Sequence, residues 1–314
     1  MFLDNLGMLL IGFILLILSS EYLVKSLTRV GICLDMSEFV IGFIIVALAT
    51  SIPELIIGIN SAFEGVPSLS LGNVIGANII DLTLVVGIVA LLRRGIRIET
   101  KTVKTDSTYM FIIALLPLVL FLDGELSRYD GLILLGAFTL YIWRLFNQEH
   151  RFRDRLKGAD KRELLPNLIY ASICLMVLFF SANIIVDASR VIAEDYLNVP
   201  PILVGLFMIS FGTTLPELTF ETRAIFMKHQ YMALGDLIGS VIANSSLVLG
   251  ITSMIHPINA DPLIFMTSAF FLVVVAFFFM TLVEVEKHIL WQEGIALILL
   301  YVLFLIVELN LRFF

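Results

Sequence analysis

Charge is scarce in this chain: Asp, Glu, Lys and Arg make up 15% of its 314 residues, against roughly 25% in a typical soluble domain. Together with a hydrophobic content of 59%, that shortage excludes a water-soluble globule. The two cysteines, Cys33 and Cys174, show no Cys-x-x-Cys spacing, so neither a disulfide framework nor a zinc site is expected and both read as small core-filling residues. His150, His229, His256 and His288 fall in or beside predicted loops. There is no His-Glu-x-x-His motif and no Gly-rich phosphate loop ending in Gly-Lys-Ser/Thr. The first positive residue, Lys25, follows the first apolar run instead of preceding it, so a cleaved leader is not expected. The formal charge of −7 and the lack of a basic patch with interleaved aromatics argue against a nucleic-acid partner.

Apolar runs are what the sequence has in abundance. Ten can be marked, among them 6–30, 39–60, 74–92 and 289–307, each within the about 17–25 residues that cross a hydrocarbon layer. They are continuous and lack the period-two alternation of an outer-membrane barrel. The predicted fold is an all-α polytopic membrane protein of ten transmembrane helices, multi-pass in a prokaryotic plasma membrane, with the lipid bilayer as its surroundings. With the N-terminus placed outside, seventeen of the twenty Lys and Arg residues fall on the cytoplasmic side, which predicts both termini outside.

The chain also repeats itself. An offset of 163 residues aligns Gly42 with Gly205, Thr50 with Thr213, Pro53-Glu54-Leu55 with Pro216-Glu217-Leu218, Gly72 with Gly235, Gly76 with Gly239 and Gly87 with Gly250, and later Asp130-Gly131 with Glu293-Gly294. Matched Pro, Glu and Gly at one ungapped offset point to duplication. The expected organisation is a first repeat over 1–146, a cytoplasmic linker over 147–164 and a second repeat over 165–314. The linker is too short for a folded regulatory domain. Five spans per repeat is an odd number, so the second copy enters the membrane from the opposite side. This inverted repeat is the arrangement of secondary transporters, whose substrate sites lie at the midplane.

The second span of each half carries Ala49-Thr50-Ser51-Ile52-Pro53-Glu54 and Gly212-Thr213-Thr214-Leu215-Pro216-Glu217. A proline inside a helix releases the carbonyl four residues earlier, here those of Ala49 and Gly212. A lone membrane proline is commonly a packing kink; a carboxylate beside it, duplicated at the equivalent place, reads as a site. The third spans contain Gly72-Asn73-Val74-Ile75-Gly76-Ala77 and Gly235-Asp236-Leu237-Ile238-Gly239-Ser240, small residues that let helix backbones approach closely. Each is followed by a polar residue inside the span, Asp81 and Asn244, 27 residues after its glutamate. Carboxylates inside a membrane are costly, and Glu54, Asp81 and Glu217 have no basic residue at similar depth. Either bound cations or protons compensate them. Oxygen-only ligands suit a hard cation such as Ca²⁺. One Ca²⁺ leaves three carboxylates at −1 and three Na⁺ leave them neutral, so the two ions exclude each other, as an exchanger requires. Of the other polar groups, Glu21 reads as a helix-packing residue, Glu221 and Arg223 as snorkelling or lining an access path, Asp236 as a helix-start residue or an ion attractor, and Trp143, Tyr141 and Trp291 as interfacial anchors.

At these paired motifs the sequence resembles the cation/calcium antiporter superfamily, and most its prokaryotic sodium/calcium exchanger branch, over nearly the whole chain. The resemblance implies that Glu54 and Glu217, with Thr50, Thr213 and backbone carbonyls near Ala47 and Ser210, are the calcium ligands. It implies further that Ser51, Thr214, Ser240, Asp81 and Asn244 complete neighbouring sodium or proton sites, and that the first and sixth spans slide across the rest. The transported ions would be Ca²⁺ and Na⁺ or H⁺, with no prosthetic group, no enzymatic activity and a functional monomer. Three positions depart from the family pattern: Ala49 replaces a glycine, Ala77 stands where the second half has Ser240, and Asp81 is a carboxylate where many sodium/calcium exchangers carry an amide, with Asn244 the converse. Three readings therefore stand beside one another: Na⁺/Ca²⁺ exchange, H⁺/Ca²⁺ exchange, and a calcium-permeable channel with a midplane carboxylate ring. A membrane-embedded hydrolase lacks both a histidine cluster and a second catalytic aspartate to match Asp81.

Overall fold

The structure is a computed structural model that describes residues 2–34, 36, 41–97, 101–149, 161–192, 196, 199–227, 229–285 and 288–313. Most of the expected 147–164 linker therefore lies outside the described residues. Among the described residues nine helices are long and apolar enough to cross a membrane: Leu3–Cys33, Ser68–Arg93, Val103–Asp123, Arg128–Asn147, Leu164–Val191, Pro201–Phe226, Met232–Ile255, Pro262–Glu284 and Trp291–Asn310. A tenth span is the pair Ile44–Thr50 and Ile52–Phe63, bent by 44°. The protein is thus an all-helical, multi-pass membrane protein, and the spans are numbered one to ten in chain order below.

The bend modifies the expectation for the first motif. A new helix starts at Ile52, so Pro53 sits in its first turn, where a missing N–H costs nothing. Pro216, at the equivalent position, lies inside the continuous helix Ser210–Phe226. π-Helical turns occur at matched places in the two halves: Ile41–Val46 and Gly205–Ile209 lead into the Thr-x-x-Pro-Glu motifs, and Asp81–Val85 and Ala243–Val248 follow the small-residue stretches. Such turns widen a helix by one residue and commonly mark functional sites. They leave no trace in hydrophobic periodicity.

The halves interleave. The third span packs on the seventh and tenth, the fourth on the ninth and the fifth on the eighth. The glycines that align in sequence are those that touch: Gly87 lies against the Gly294 backbone, and its counterpart Gly250 against that of Gly131. A side chain at Gly76 would overlap the Leu206 carbonyl and Ser210, which is why the third and seventh spans can meet so closely. Two short antiparallel strand pairs join loops of different halves: β1 (Ile96–Arg97) with β4 (His288–Ile289), and β2 (Glu125–Leu126) with β3 (Ile258–Asn259). Spans three and eight form the centre, with 83% and 78% of their apolar windows buried.

Spans one and six pair along their length outside this centre. Leu9, Leu16 and Leu23, seven residues apart, meet Leu178, Ala182 and Ile185 in one buried cluster, while Leu10, Ile14, Met176 and Phe180 point outward. In a bilayer the outward residues face lipid, so burial here is helix-to-helix packing and not withdrawal from water. Trp143 and Trp291 are exposed, as interfacial anchors should be. Tyr141 is not: it is 3% exposed, with its ring 6.5 Å from that of Tyr109. Arg144, one turn on, draws that part of the helix inward by pairing with the buried Asp106 of the fourth span.

Candidate cation site

Spans two, three, seven and eight bring the motif residues together at the centre. Glu54, Asp81 and Glu217 are at most 1% exposed, and none of their carboxylate oxygens has a hydrogen-bond partner. The three lie within Coulombic reach of one another. Thr213 is a polar neighbour of Glu54, and Asp81, Ser240 and Thr50 are neighbours of Glu217; none meets hydrogen-bonding geometry. Among the described residues no Lys, Arg or His is buried.

Asp106 shows what the fold does when a buried carboxylate needs a permanent counter-charge. It is fully buried like the central three, but one oxygen accepts a hydrogen bond from Arg144, whose guanidinium also lies over the Tyr109 ring at 3.9 Å. The central carboxylates receive nothing comparable. Groups left this way cost several kcal/mol each unless something cationic joins them. Among the described residues no three acidic, cysteine or histidine side chains are gathered tightly enough to hold one ion alone. A cation held here would therefore also take hydroxyl and carbonyl oxygens, which suits a hard cation.

Those oxygens are present. Thr50 donates to the Ala47 carbonyl at 3.2 Å, and Thr213 to the Ser210 carbonyl at 3.2 Å. Thr214 also donates to the Ser210 carbonyl. These are the two backbone positions that the family resemblance implied. Each threonine also reaches across to the opposite half. The Thr50 hydroxyl lies 2.9 Å from Asp236 Oδ1 and 3.0 Å from Ser240 Oγ, and Thr213 donates to Asn73 Oδ1 at 3.2 Å. Ser51 is buried with no partner for its hydroxyl. Asn244 does not join the carboxylates directly: its amide donates to Asn78 Oδ1 at 3.3 Å, and Asn78 donates to Ser245 at 2.9 Å. Asn78 and Ser245 form a polar link behind the site that the motif reading omits. Asp236, which the sequence reads as a helix-start residue or an ion attractor, and its counterpart Asn73 are the threonines' partners. Both stand 19 residues after their glutamates, so the repeat offset held the signal.

On one side the site is bordered by a cavity of about 440 Å³ between spans one and seven. Its lining includes Pro216, the neighbour of Glu217, and the charged side chains of Glu21, Lys25, Arg29 and Arg223. Glu21 is paired with Lys25 at 2.6 Å and with Arg223 at 3.5 Å, so it ties span one to span seven. On the opposite side Arg190 of span six pairs with Glu64, at the end of span two, at 3.8 Å.

Comparison with known proteins gives the chain a family. The sodium/calcium exchanger protein family matches residues 5–147 and 167–310. The chain belongs to that family. Its members are membrane transporters and not enzymes. The sodium/calcium exchanger MaX1 of Methanosarcina acetivorans is 28% identical, over 96% of this chain and 98% of its own length. The inner membrane protein YrbG of Escherichia coli is 28% identical, over 82% of each. Among solved structures, the sodium-calcium exchanger NCX_Mj, soaked with Na⁺ and Sr²⁺, superposes with a TM-score of 0.71 at 26% identity, covering 96% of this chain and 98% of that one. The gap between the two matched segments of the family falls at residues 148–166, and cation antiport is the activity the family membership supports.

Proposed function

We propose that this protein exchanges Ca²⁺ for Na⁺ across the cell membrane by alternating access to the central site. The observation that carries the reading is the set of three buried carboxylates, Glu54, Asp81 and Glu217, with unpartnered oxygens and, among the described residues, no buried cation to meet them. Glu54 and Glu217 serve Ca²⁺ from opposite halves, with the Thr50 and Thr213 hydroxyls and the Ala47 and Ser210 carbonyls completing its oxygen shell. Ser51, Thr214, Ser240, Asp81 and Asn244 serve Na⁺ at flanking positions. One Ca²⁺ or three Na⁺ satisfies the same carboxylates, so loading one ion displaces the other. All these residues come from one chain, which makes a monomer sufficient.

The two halves insert in opposite senses, with both termini outside and the cavity between spans one and seven on the cytoplasmic side. Beside the apolar packing of their inner faces on spans two, three and seven, spans one and six meet the centre at the exposed ion pairs Glu21–Arg223 and Arg190–Glu64, one on each side. Exposed pairs contribute about 0–1 kcal/mol, weak enough to exchange as the pair of spans slides.

A proton-driven exchange of Ca²⁺ is the second reading. It is favoured by one feature, the carboxylate of Asp81 combined with the absence of a hydroxyl at Ala77. Proteoliposomes separate the two. Uptake of ⁴⁵Ca²⁺ only when Na⁺ is inside, and not when K⁺ replaces it, is the expected result. Uptake that follows a pH gradient without Na⁺ selects protons, and flux that neither saturates nor needs a counter-ion selects a channel.

A further inference from the structure

Two more carboxylates border the central site, both on the side where the seventh span ends at Phe226. Asp236 is fully buried; Oδ1 accepts from Thr50 at 2.9 Å and lies 3.5 Å from Ser240 Oγ, while Oδ2 has no partner. Glu221, one turn beyond Glu217 on the same helix face, is 4% exposed and lies within Coulombic reach of both Asp236 and Glu217. Among the described residues neither is paired with a cationic side chain. Arg223, two residues on, belongs to the opposite face of its helix, where it meets Glu21.

The other half shows that the fold does not need these charges. At the 163-residue offset Glu221 corresponds to Gly58 and Asp236 to Asn73. Asn73 makes the equivalent hydrogen bond to Thr213 without a charge. A carboxylate at Asp236 thus adds a buried negative charge beyond what the threonine contact requires, and Glu221 places a second one beside it. Two like charges brought together in a membrane interior repel strongly until a cation or a proton joins them.

We propose that Glu221 and Asp236, with the hydroxyls of Thr50 and Ser240, form a second Ca²⁺ position about one helical turn from the central one, absent from the opposite side of the site. The assignment rests on the reading of Glu54 and Glu217 as Ca²⁺ ligands. Two carboxylates and two hydroxyls are an oxygen-only set, and the slight exposure of Glu221 leaves room for water to complete the coordination. Thr50 and Ser240 border both positions, so an ion passing between them keeps the same two hydroxyls while it changes carboxylates. The outer position loads and unloads the central one from one side only.

Equilibrium binding of ⁴⁵Ca²⁺ to the purified full chain in Na⁺-free detergent solution tests this. The wild-type protein is expected to bind two ions, the second at least about tenfold more weakly because two divalent charges one turn apart repel. The near-isosteric variants Asp236→Asn and Glu221→Gln should each lose the weak phase and keep the tight one, while Glu54→Gln should lose the tight phase. A wild-type isotherm that saturates at one ion, with the Asp236→Asn and Glu221→Gln curves superimposed on it, overturns the second position and leaves the central reading intact. Complete loss of binding in monodisperse Asp236→Asn also overturns it, by placing Asp236 in the central shell. A Glu54→Gln curve identical to wild type overturns the central reading instead, with the two outer variants still deciding the outer position. Because the wild-type stoichiometry is itself diagnostic, the test survives misfolding of any variant.

Discussion

Thr50 and Thr213 occupy equivalent places in the two halves, yet they meet different chemistry. Thr50 reaches a carboxylate and a hydroxyl, Asp236 and Ser240; Thr213 reaches the Asn73 amide, and the position matching Ser240 is Ala77. The charge difference at Asp236 is partly offset deeper in the span, where the first half has Asp81 and the second Asn244. The comparison teaches that duplication conserves the scaffold, the glycine contacts and the glutamate pair, while the polar positions around the pair have diverged. Two copies of one helix pair therefore offer a cation unequal surroundings on its two flanks.

The largest effect should come from removing what the halves share. Glu54→Gln or Glu217→Gln takes away one of the paired carboxylates, and a charged interaction is worth about 1.5–3 kcal/mol. Na⁺-dependent ⁴⁵Ca²⁺ uptake should fall by roughly 10- to 100-fold, and near-normal uptake in either variant would remove the proposed site. The same substitutions should also raise thermal stability in ion-free buffer, because they relieve repulsion among buried carboxylates. Arg144→Gln should do the reverse. It strands the buried Asp106 at a cost of about 3–5 kcal/mol, visible as a lowered melting temperature, with Ca²⁺ affinity little changed in the protein that remains folded.

Smaller effects sharpen the inequality of the halves. Thr50→Ala removes contacts to two partners across the interface and Thr213→Ala to one. With about 0.5–1.5 kcal/mol per hydrogen bond, the Ca²⁺ dependence of transport should weaken more in the first variant than in the second; equal effects would mean that Asp236 and Ser240 add nothing to Thr50. Ala77→Ser restores a hydroxyl opposite the one at Ser240 and should raise apparent Na⁺ affinity by at most about tenfold. If it instead leaves Na⁺ dependence untouched and uptake still follows pH, proton coupling gains the stronger case.

The helical class, the number of spans and the motif pair are legible in the sequence because each rests on composition or on a fixed offset. Ten apolar runs match nine long helices plus one bent pair, and the aligned glycines become backbone contacts at Gly87–Gly294 and Gly131–Gly250. The π-helical turns beside Asp81 and before Ala47 are not legible, since an extra residue in a uniformly apolar helix leaves its hydrophobic pattern unchanged. The restart of the helix at Ile52 is hidden for a related reason: a proline that kinks a helix and one that begins it look alike until the residues before it are seen. Tyr141 reads as an anchor because span-end aromatics usually sit at the interface, whereas here the Arg144–Asp106 pair pulls its turn of helix into the core. Asn78 and Ser245 were invisible as partners, because their bond crosses between halves at 167 residues of separation.

The two strand pairs carry a consequence for biosynthesis. β1, complete by Arg97, has its partner at His288–Ile289, and β2, complete by Leu126, has its partner at Ile258–Asn259. During translation the loops of the first half emerge with their edges open and stay so while more than a hundred further residues are made. The earlier loop can close only once the segment just before the tenth span has been made. Until then the first five helices are inserted but unbuckled, and Glu54 waits in the bilayer for a partner that has yet to be synthesised.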